Sequence, residues 1–316
     1  MIRVLKLLLY LIILLTTIGC GQNSGDEEKS YTDSSRIITD VYGNSAVLPD
    51  DPRVVSGYGS FSECWLLSGG KLVGVTDDAI TERKLDISGD VSIIGTVKDI
   101  NLERVVSLSP DYVILSADIA AHASLENSLK DMNIQYGYFR VDNFKDYSEL
   151  MRQFCDLNGG EELYTENVKN VESSINDIRK SIPEDAETSY LLMRVYSSGI
   201  KVKNDNIADD ILKDLGGISI ADRVPSLLTD LSVEEVIKAD PDHIFILTMG
   251  DEKAGEEYFI KNIISDPSWG GLFAVKNGNY HLLPKELFHY KPNNRWGESY
   301  MHIARILYPE VYDENK

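Results

Sequence analysis

The sequence predicts an α/β protein of two Rossmann-like lobes, each a parallel sheet with flanking helices, joined by one long backbone α-helix. Three observations carry this expectation. Short apolar runs alternate with helical patterns in both halves of the chain, as parallel sheets covered by helices require. A single apolar stripe at helical spacing separates the halves. A helix–turn–strand phrase occurs twice in one register.

In the first half, strands are expected at Val54-Val55, Leu72–Val75, Ile93-Ile94, Tyr112–Leu115 and Tyr136–Val141. Helical patterns fall between them at Phe61–Leu67, Leu102–Leu108 and Leu125–Met132. Leu150, Phe154 and Leu157 lie on a further helix that breaks at Gly159-Gly160. Tyr164, Val168, Val171, Ile175, Ile178 and Ile182 then recur at spacings of four and three, one apolar face on a helix that stops before Pro183. The second half repeats the alternation. Its strands are Tyr190–Val195, Ile244–Leu247 and Tyr280–Leu283; its helices are Ile207–Leu215, Val233–Ala239, Tyr258–Ile264 and Trp296–Leu307. Gly216-Gly217 suits a left-handed helix end. The expected boundaries are an N-terminal lobe over 37–158, a connecting helix over 159–183 and a C-terminal lobe over 184–316.

The repeat is the most informative feature. Leu102–Leu115 aligns without a gap on Val233–Ile246, matching Glu103 with Glu234, Val105 with Val236, Pro110 with Pro241 and Asp111 with Asp242. Each copy reads as a short amphipathic helix, a Pro-Asp turn and a buried strand. A duplicated lobe leaves a cleft between the copies, the usual place for a ligand. It also sets Glu103 and Glu234 at equivalent positions, a symmetric pair suited to a two-fold partner. Either glutamate alone is an ordinary first-turn carboxylate favoured by the helix dipole.

Residues 1–20 read as an export signal. Arg3 and Lys6 precede an apolar run, Leu7–Ile18, shorter than the roughly 20 residues of a membrane span. The run ends in Thr17-Ile18-Gly19-Cys20, which resembles a bacterial lipobox with Thr17 in the place of the usual leucine. Cys20 is therefore the expected lipidation site, and the protein is expected outside the cytoplasm, anchored to the cell membrane. An uncleaved N-terminal anchor gives the same location. Residues 21–36, rich in Gly, Ser, Asp, Glu and Lys, read as a flexible tether. A net charge of −20 argues against nucleic acid as a partner. Cys64 and Cys155 sit among apolar residues and read as core thiols, with a disulfide between them left open.

The order of motifs resembles the class III substrate-binding proteins of bacterial ABC importers, which serve uptake of cobalamin, ferric siderophores and heme. The resemblance covers nearly all of residues 37–316. It rests on Arg53-Val54-Val55-Ser56, the Ile94-Gly95-Thr96 turn, the segment Asn101–Ile114, Leu212–Gly217, Leu231–Ile237 and Trp269–Gly278. It implies a rigid two-lobe fold on a stiff helical spine. It also implies that Glu103 and Glu234 meet arginines of a permease dimer.

Ligand-contacting residues are expected on loops after the strands. Those loops hold Tyr58 and Phe61, then Thr96 to Lys98, Asp118 to His122, Arg194 to Ser197, and Phe288 to Trp296. Tyr58, Tyr196, Tyr290 and Trp296 suit the flat face of a macrocycle or catecholate rings. Arg194, Lys291 and Arg295 suit propionates or an anionic ferric chelate, and Thr96 and Lys98 are further candidates for ligand contact. His289 is a candidate axial ligand to heme iron, or else a loop histidine bonded to water or backbone. Trp296 also fits the core as the first turn of the closing helix. The five histidines are scattered along the chain, which argues against a bare-metal site. No intrinsic cofactor is expected.

The reading is thus a lipid-anchored solute-binding protein that delivers an iron complex, ferric siderophore or heme, to an ABC importer. A corrinoid carrier of the same family is the alternative ligand reading, and a surface sensor or adhesion lobe the alternative role. An enzyme is disfavoured: the chain has no nucleophile elbow, phosphate-cradling Gly-rich loop or zinc-binding helix motif.

Overall fold

The structure, a computed structural model, describes residues 36–87, 89–183 and 187–312. The expected signal segment, Cys20 and all of the tether but Arg36 lie outside those residues. Among the described residues no helix is long and apolar enough to cross a membrane.

Strands β1 (Val54–Ser56), β2 (Leu72–Val75), β3 (Ser92–Ile93), β4 (Tyr112–Ser116) and β5 (Tyr136–Phe139) form one parallel sheet in the order β3-β2-β1-β4-β5. The second sheet is built on β6 (Thr188–Tyr196). One edge of β6 pairs in parallel with β9 (His243–Thr248), which pairs in parallel with β10 (Tyr280–Leu282). Its other edge is shared. The start of β6 pairs in parallel with β8 (Gly217–Ser219), and its end pairs antiparallel with β7 (Gly199–Val202). Among the described residues this hairpin is the one departure from an all-parallel pair of sheets. Only Ser197 and Ser198 separate β6 from β7, and so short a link joins only antiparallel strands.

Seven helices matter for the site: α1 (Gly59–Leu67), α2 (Leu102–Ser107), α3 (Phe144–Asn158), the composite spine α4, α5 (Ile207–Asp214), α6 (Val233–Ala239) and α7 (Trp296–Leu307). The spine runs as an α-segment Gly160–Tyr164, a π-turn Thr165–Lys169 and an α-segment Asn170–Lys180. Its stripe packs as the spacing requires, with Val168, Ile175 and Ile178 buried and Tyr164, Val171 and Ile182 half-buried. The π-turn has a local cause. It brings the Asn167 amide to donate to Leu67 O (3.2 Å) and Leu163 O (3.0 Å), while Tyr147 Oη donates to Asn167 O (3.1 Å). Asn294, from the far end of the chain, donates to Asn167 Oδ1 (3.3 Å), so both halves meet the spine here.

Period-two alternation sorts the strand residues between three cores. Val54 and Ile114 of the first sheet and Tyr190, Leu192, Phe245 and Leu247 of the second enter one shared cluster. Phe154, Ile175 and Ile303 join it from α3, the spine and α7. The opposite sheet faces build separate outer cores around Val113 and Leu115, and around Met193 and Ile246. Swinging one sheet against the other would open the shared core to water, which stiffens the pair.

The duplication is structural as well as sequential. The N-cap side chains Asn101 and Ser232 accept from the backbone N–H groups of Arg104 (3.0 Å) and Glu235 (3.3 Å). Ser109 and Asp240, at matching positions, both take left-handed backbone, with φ of 46° and 42°. Asp111 then accepts the N–H of Arg53 (2.7 Å), and Asp242 accepts that of Ser189 (2.8 Å). Each Pro-Asp turn thus ties the start of its own strand to the start of the strand beside it, which explains why Pro and Asp recur together.

Candidate functional site

The two sheets point the C-terminal ends of β1, β2, β4, β5, β6 and β10 toward the groove between the lobes, where α/β sheets hold ligands. Tyr58 follows β1 directly and is half-buried, its ring edge-on to Phe61 at 5.3 Å. Burial raises the Tyr58 pKa, and Asp78, Arg83 and Asp118 lie within its electrostatic reach. Tyr290 faces it from the other lobe. Its hydroxyl donates to Glu82, and burial, followed by that carboxylate, raises its pKa.

On β6, alternation puts Arg194 and Tyr196 on the same face as Tyr190 and Leu192, past the point where the shared core ends. Arg194 is half-buried, and its Nε is fully buried with no hydrogen-bond partner. Among the described residues it makes no ion pair. His289 lies beside it. Burial, with Lys285 and Arg194 adding, pushes the His289 imidazole down to about 4 against the opposing pull of Glu82. The ring is therefore neutral at physiological pH. Lys285 donates to Gly250 O.

The negative side of the groove is internally satisfied. Asp78 accepts from Thr76 Oγ1 (2.6 Å) and Gly59 N (2.7 Å), and Asp118 pairs with Arg140 (2.7 Å). Glu82 holds Tyr290. The unmet demand is positive, on Arg194 with Lys285 beside His289, and this favours an anionic occupant.

The loop Phe288–Trp296 divides in two. His289 and Tyr290 border the groove, whereas Lys291, Asn293 and Asn294 after them tie this loop to the N-terminal lobe and the spine. Lys291 donates to Val141 O and lies 3.7 Å from both Asp118 and Asp142, so its charge is already matched. Arg83 donates to Lys291 O (3.0 Å) and pairs with Glu63. Asn293, fully buried, plugs into the first turns of α1. Trp296 is 1% exposed, edge-on to Phe144 at 6.1 Å, and presents no surface to a ligand. Arg295 donates to Glu286 O (3.2 Å), closing the end of the short helix Lys285–Phe288. Aromatic and cationic types mark a ligand loop and a structural loop equally well, so sequence did not separate Lys291 and Trp296, which join the halves, or Arg295, which bonds within its own lobe, from His289 and Tyr290.

At the rim, Thr96 and Lys98 are exposed on a tight hairpin, Gly95–Thr96 with Asp99–Ile100. Thr96 Oγ1 accepts the N–H of Asp99 (3.1 Å), and His122 Nε2 bonds Val97 O (2.9 Å). Gly95 has φ +121°, and a Cβ there would sit 2.3 Å from Asp99 O, so this turn requires glycine. Glu82, Arg83 and Lys285 were not anticipated. The first two follow β2, and the strand-end rule applied to Leu72–Val75 points to them.

The remaining histidines are structural. His122 is fully buried between Ser116 N (2.9 Å) and Val97 O. His243 Nδ1 and His281 Nε2 lie 3.0 Å apart across β9 and β10, and the His302 ring is 5.6 Å from that of Phe288. Among the described residues no group of three or more His, Cys, Asp or Glu is placed to hold a metal ion. Cys64 and Cys155 are buried and free. A surface hollow of about 830 Å³ runs along the spine beside Asn143, Asp210 and Tyr300. Asp214 there is taken up by Arg179 and by Tyr300 (2.6 Å), and the carboxylates left without an ion pair among the described residues, Glu172 and Asp210, are exposed.

The neutral histidines set an acid limit. His281 is pushed down to about 4 by burial and then by His243 and His302, close to the value of His289. An unfolded histidine takes a proton near pH 6.5. Stability carried by the neutral rings is present above that pH and drains away as pH falls toward 4. Melting temperature is expected to drop steadily from pH 6.5 to 4, with a smaller drop for His281→Phe.

A family model described as periplasmic binding protein matches residues 54–287. The chain belongs to the periplasmic binding protein family. Its fold is that of the class III substrate-binding proteins of ABC transporters, as the order of motifs implied. This family consists of extracytoplasmic binding proteins. The Fe(3+)-citrate-binding protein YfmC of Bacillus subtilis is 25% identical over 292 residues, covering 89% of this chain and 88% of YfmC. The petrobactin-binding protein YclQ of the same organism is 24% identical, covering 87% of this chain and 89% of its own. Among solved structures, the periplasmic heme-binding protein HutB of Vibrio cholerae superposes with a TM-score of 0.67 at 20% identity, over 82% of this chain and all of HutB's.

Proposed function

We propose that this binding protein captures an anionic iron chelate of the ferric siderophore or ferric citrate kind in the inter-lobe groove. It hands the chelate to an ABC importer while held at the membrane surface through lipidated Cys20. The observation that carries this reading is the partly buried Arg194, with no ion-pair partner among the described residues, opposite the lobe-one carboxylates Asp78, Asp118 and Glu82, each of them engaged. The names of YfmC and YclQ support the same ligand class. A corrinoid, whose rim is mostly neutral amide, would offer Arg194 weaker hydrogen bonds than a carboxylate-rich chelate.

Heme is the second reading, because a neutral His289 keeps a ring nitrogen free for iron. One pair of titrations separates the two. Equilibrium dialysis of the purified protein with radio-iron citrate should show one saturable site in the micromolar range or tighter. Hemin should produce no sharpened Soret band. A one-equivalent Soret shift lost in His289→Ala, with no citrate binding, would replace the chelate reading by heme.

A further inference from the structure

Exposed apolar side chains concentrate on one small element, the hairpin Ile37–Thr39 with Ser45–Val47, which carries Ile37, Val41, Tyr42 and Val47. Ile37 and Val47 stand directly opposite one another across its two strands and share the outward face. Val41 and Tyr42 lie at the turn, and Tyr42 is 63% exposed. The exposure does not come from a loose loop. Ile38 and Leu48 are buried beneath the hairpin, and Val41 N donates to Tyr138 O (2.9 Å) at the edge of the first sheet.

The hairpin also presents no charge, in a chain of net charge −20. The one charged residue between Ile37 and Leu48 is Asp40. It is buried and accepts from the backbone N–H groups of Tyr42 (2.9 Å), Asn44 (2.9 Å) and Tyr138 (3.2 Å). Arg36, just before the hairpin, turns its guanidinium to Leu48 O (3.2 Å) and Leu157 O (2.9 Å). A lone exposed aliphatic group is ordinary, and a cross-strand pair supports its own hairpin. Neither explains why an uncharged apolar surface stands where the described residues begin. Residues 21–36, which join this point to Cys20, span at most about 55 Å.

We propose that the hairpin rests on the lipid bilayer, with Ile37, Tyr42 and Val47 in its headgroup layer. This rests on the lipidation of Cys20 proposed above. Anchoring confines the hairpin to within that span of the membrane, so a shallow contact by a few side chains suffices. Tyr42 brings the amphipathic ring that suits a water–lipid boundary. The lipid it fits is neutral in net charge. Asp142, Asp146 and Glu149 line the hollow beside Asp40 and Val41, and an anionic surface would repel them. A seated hairpin holds the N-terminal lobe at the membrane surface instead of anywhere within reach of the anchor.

The test places Tyr42→Trp in the lipidated protein, reconstituted in phosphatidylcholine vesicles with and without brominated acyl chains. Trp65, Trp269 and Trp296 are buried and give a constant background. Bromine should quench the new indole. Adding Ile37→Ser and Val47→Ser should lower the ratio of seated to free protein roughly tenfold, while melting temperature and ferric citrate affinity stay unchanged. Adding phosphatidylglycerol should weaken the quenching, and salt should restore it. Mass spectrometry of the N-terminal peptide reads the anchor separately. Lipid on Cys20 without quenching above background would overturn the hairpin contact and leave the anchoring reading standing. No lipid on Cys20 would remove both. A dimer in solution that the two serine changes dissociate would assign the face to a second copy of this chain and overturn the membrane contact.

Discussion

Replacing Arg194 by Met is expected to weaken ferric citrate binding by roughly 10- to 100-fold while raising the melting temperature of the ligand-free protein. The two effects have one cause. A partly buried guanidinium without a partner destabilises the empty fold, and a similarly shaped apolar side chain relieves that cost. When an anionic chelate enters, the same guanidinium gains charge-assisted hydrogen bonds, each worth about 1.5–3 kcal/mol. Arg194→Lys should fall between, since a lysine keeps the charge and loses the planar fork. The variant should also let the His289 pKa rise, because one of the cations holding it down is gone. That rise is readable by NMR without any ligand. Unchanged citrate affinity in Arg194→Met would remove the anion-binding role and with it the main support for the chelate reading.

Asn293→Ala is expected to cost about 3–4 kcal/mol of stability. Asn293 is fully buried in the second half of the chain, yet all its side-chain bonds go to the first. Its amide donates to Ser60 O (2.9 Å) and to Glu63, and its carbonyl oxygen accepts the Cys64 thiol (3.3 Å). Truncation would leave these groups unpaired in the interior. Its backbone is left-handed, with φ +56°, which asparagine tolerates and alanine resists by about 1 kcal/mol. Asn293→Gly separates the two parts by restoring the backbone freedom without the bonds. Urea denaturation of both variants measures the difference. Near-wild-type stability in Asn293→Ala would mean that the clamp does not hold the lobes together.

Much of the fold was legible because it repeats local rules. Period-two runs and helical stripes need no distant partner to be recognised, so α6 and α7 were expected with the bounds they have, and most strands within a residue or two. Some elements escaped. The hairpin Ile37–Thr39 with Ser45–Val47 is too short to show a period and is held by contacts such as Thr39 N to Gln153 Oε1 (2.9 Å), far along the chain.

Sequence alone determined the two-lobe α/β plan, the duplicated helix–Pro-Asp–strand unit and the placing of Glu103 and Glu234 at equivalent, exposed sites. Each of these depends on spacing within one segment. Tertiary structure decided which members of the Phe288–Trp296 loop meet the groove and which are buried. It also matched Tyr290 to Glu82 and Lys291 to Asp118 and Asp142, and it left Arg194 without an ion-pair partner among the described residues. Those outcomes depend on which charges from distant segments are brought together, and the residue types at the loop are the same whether a charge is already answered or still open to a ligand.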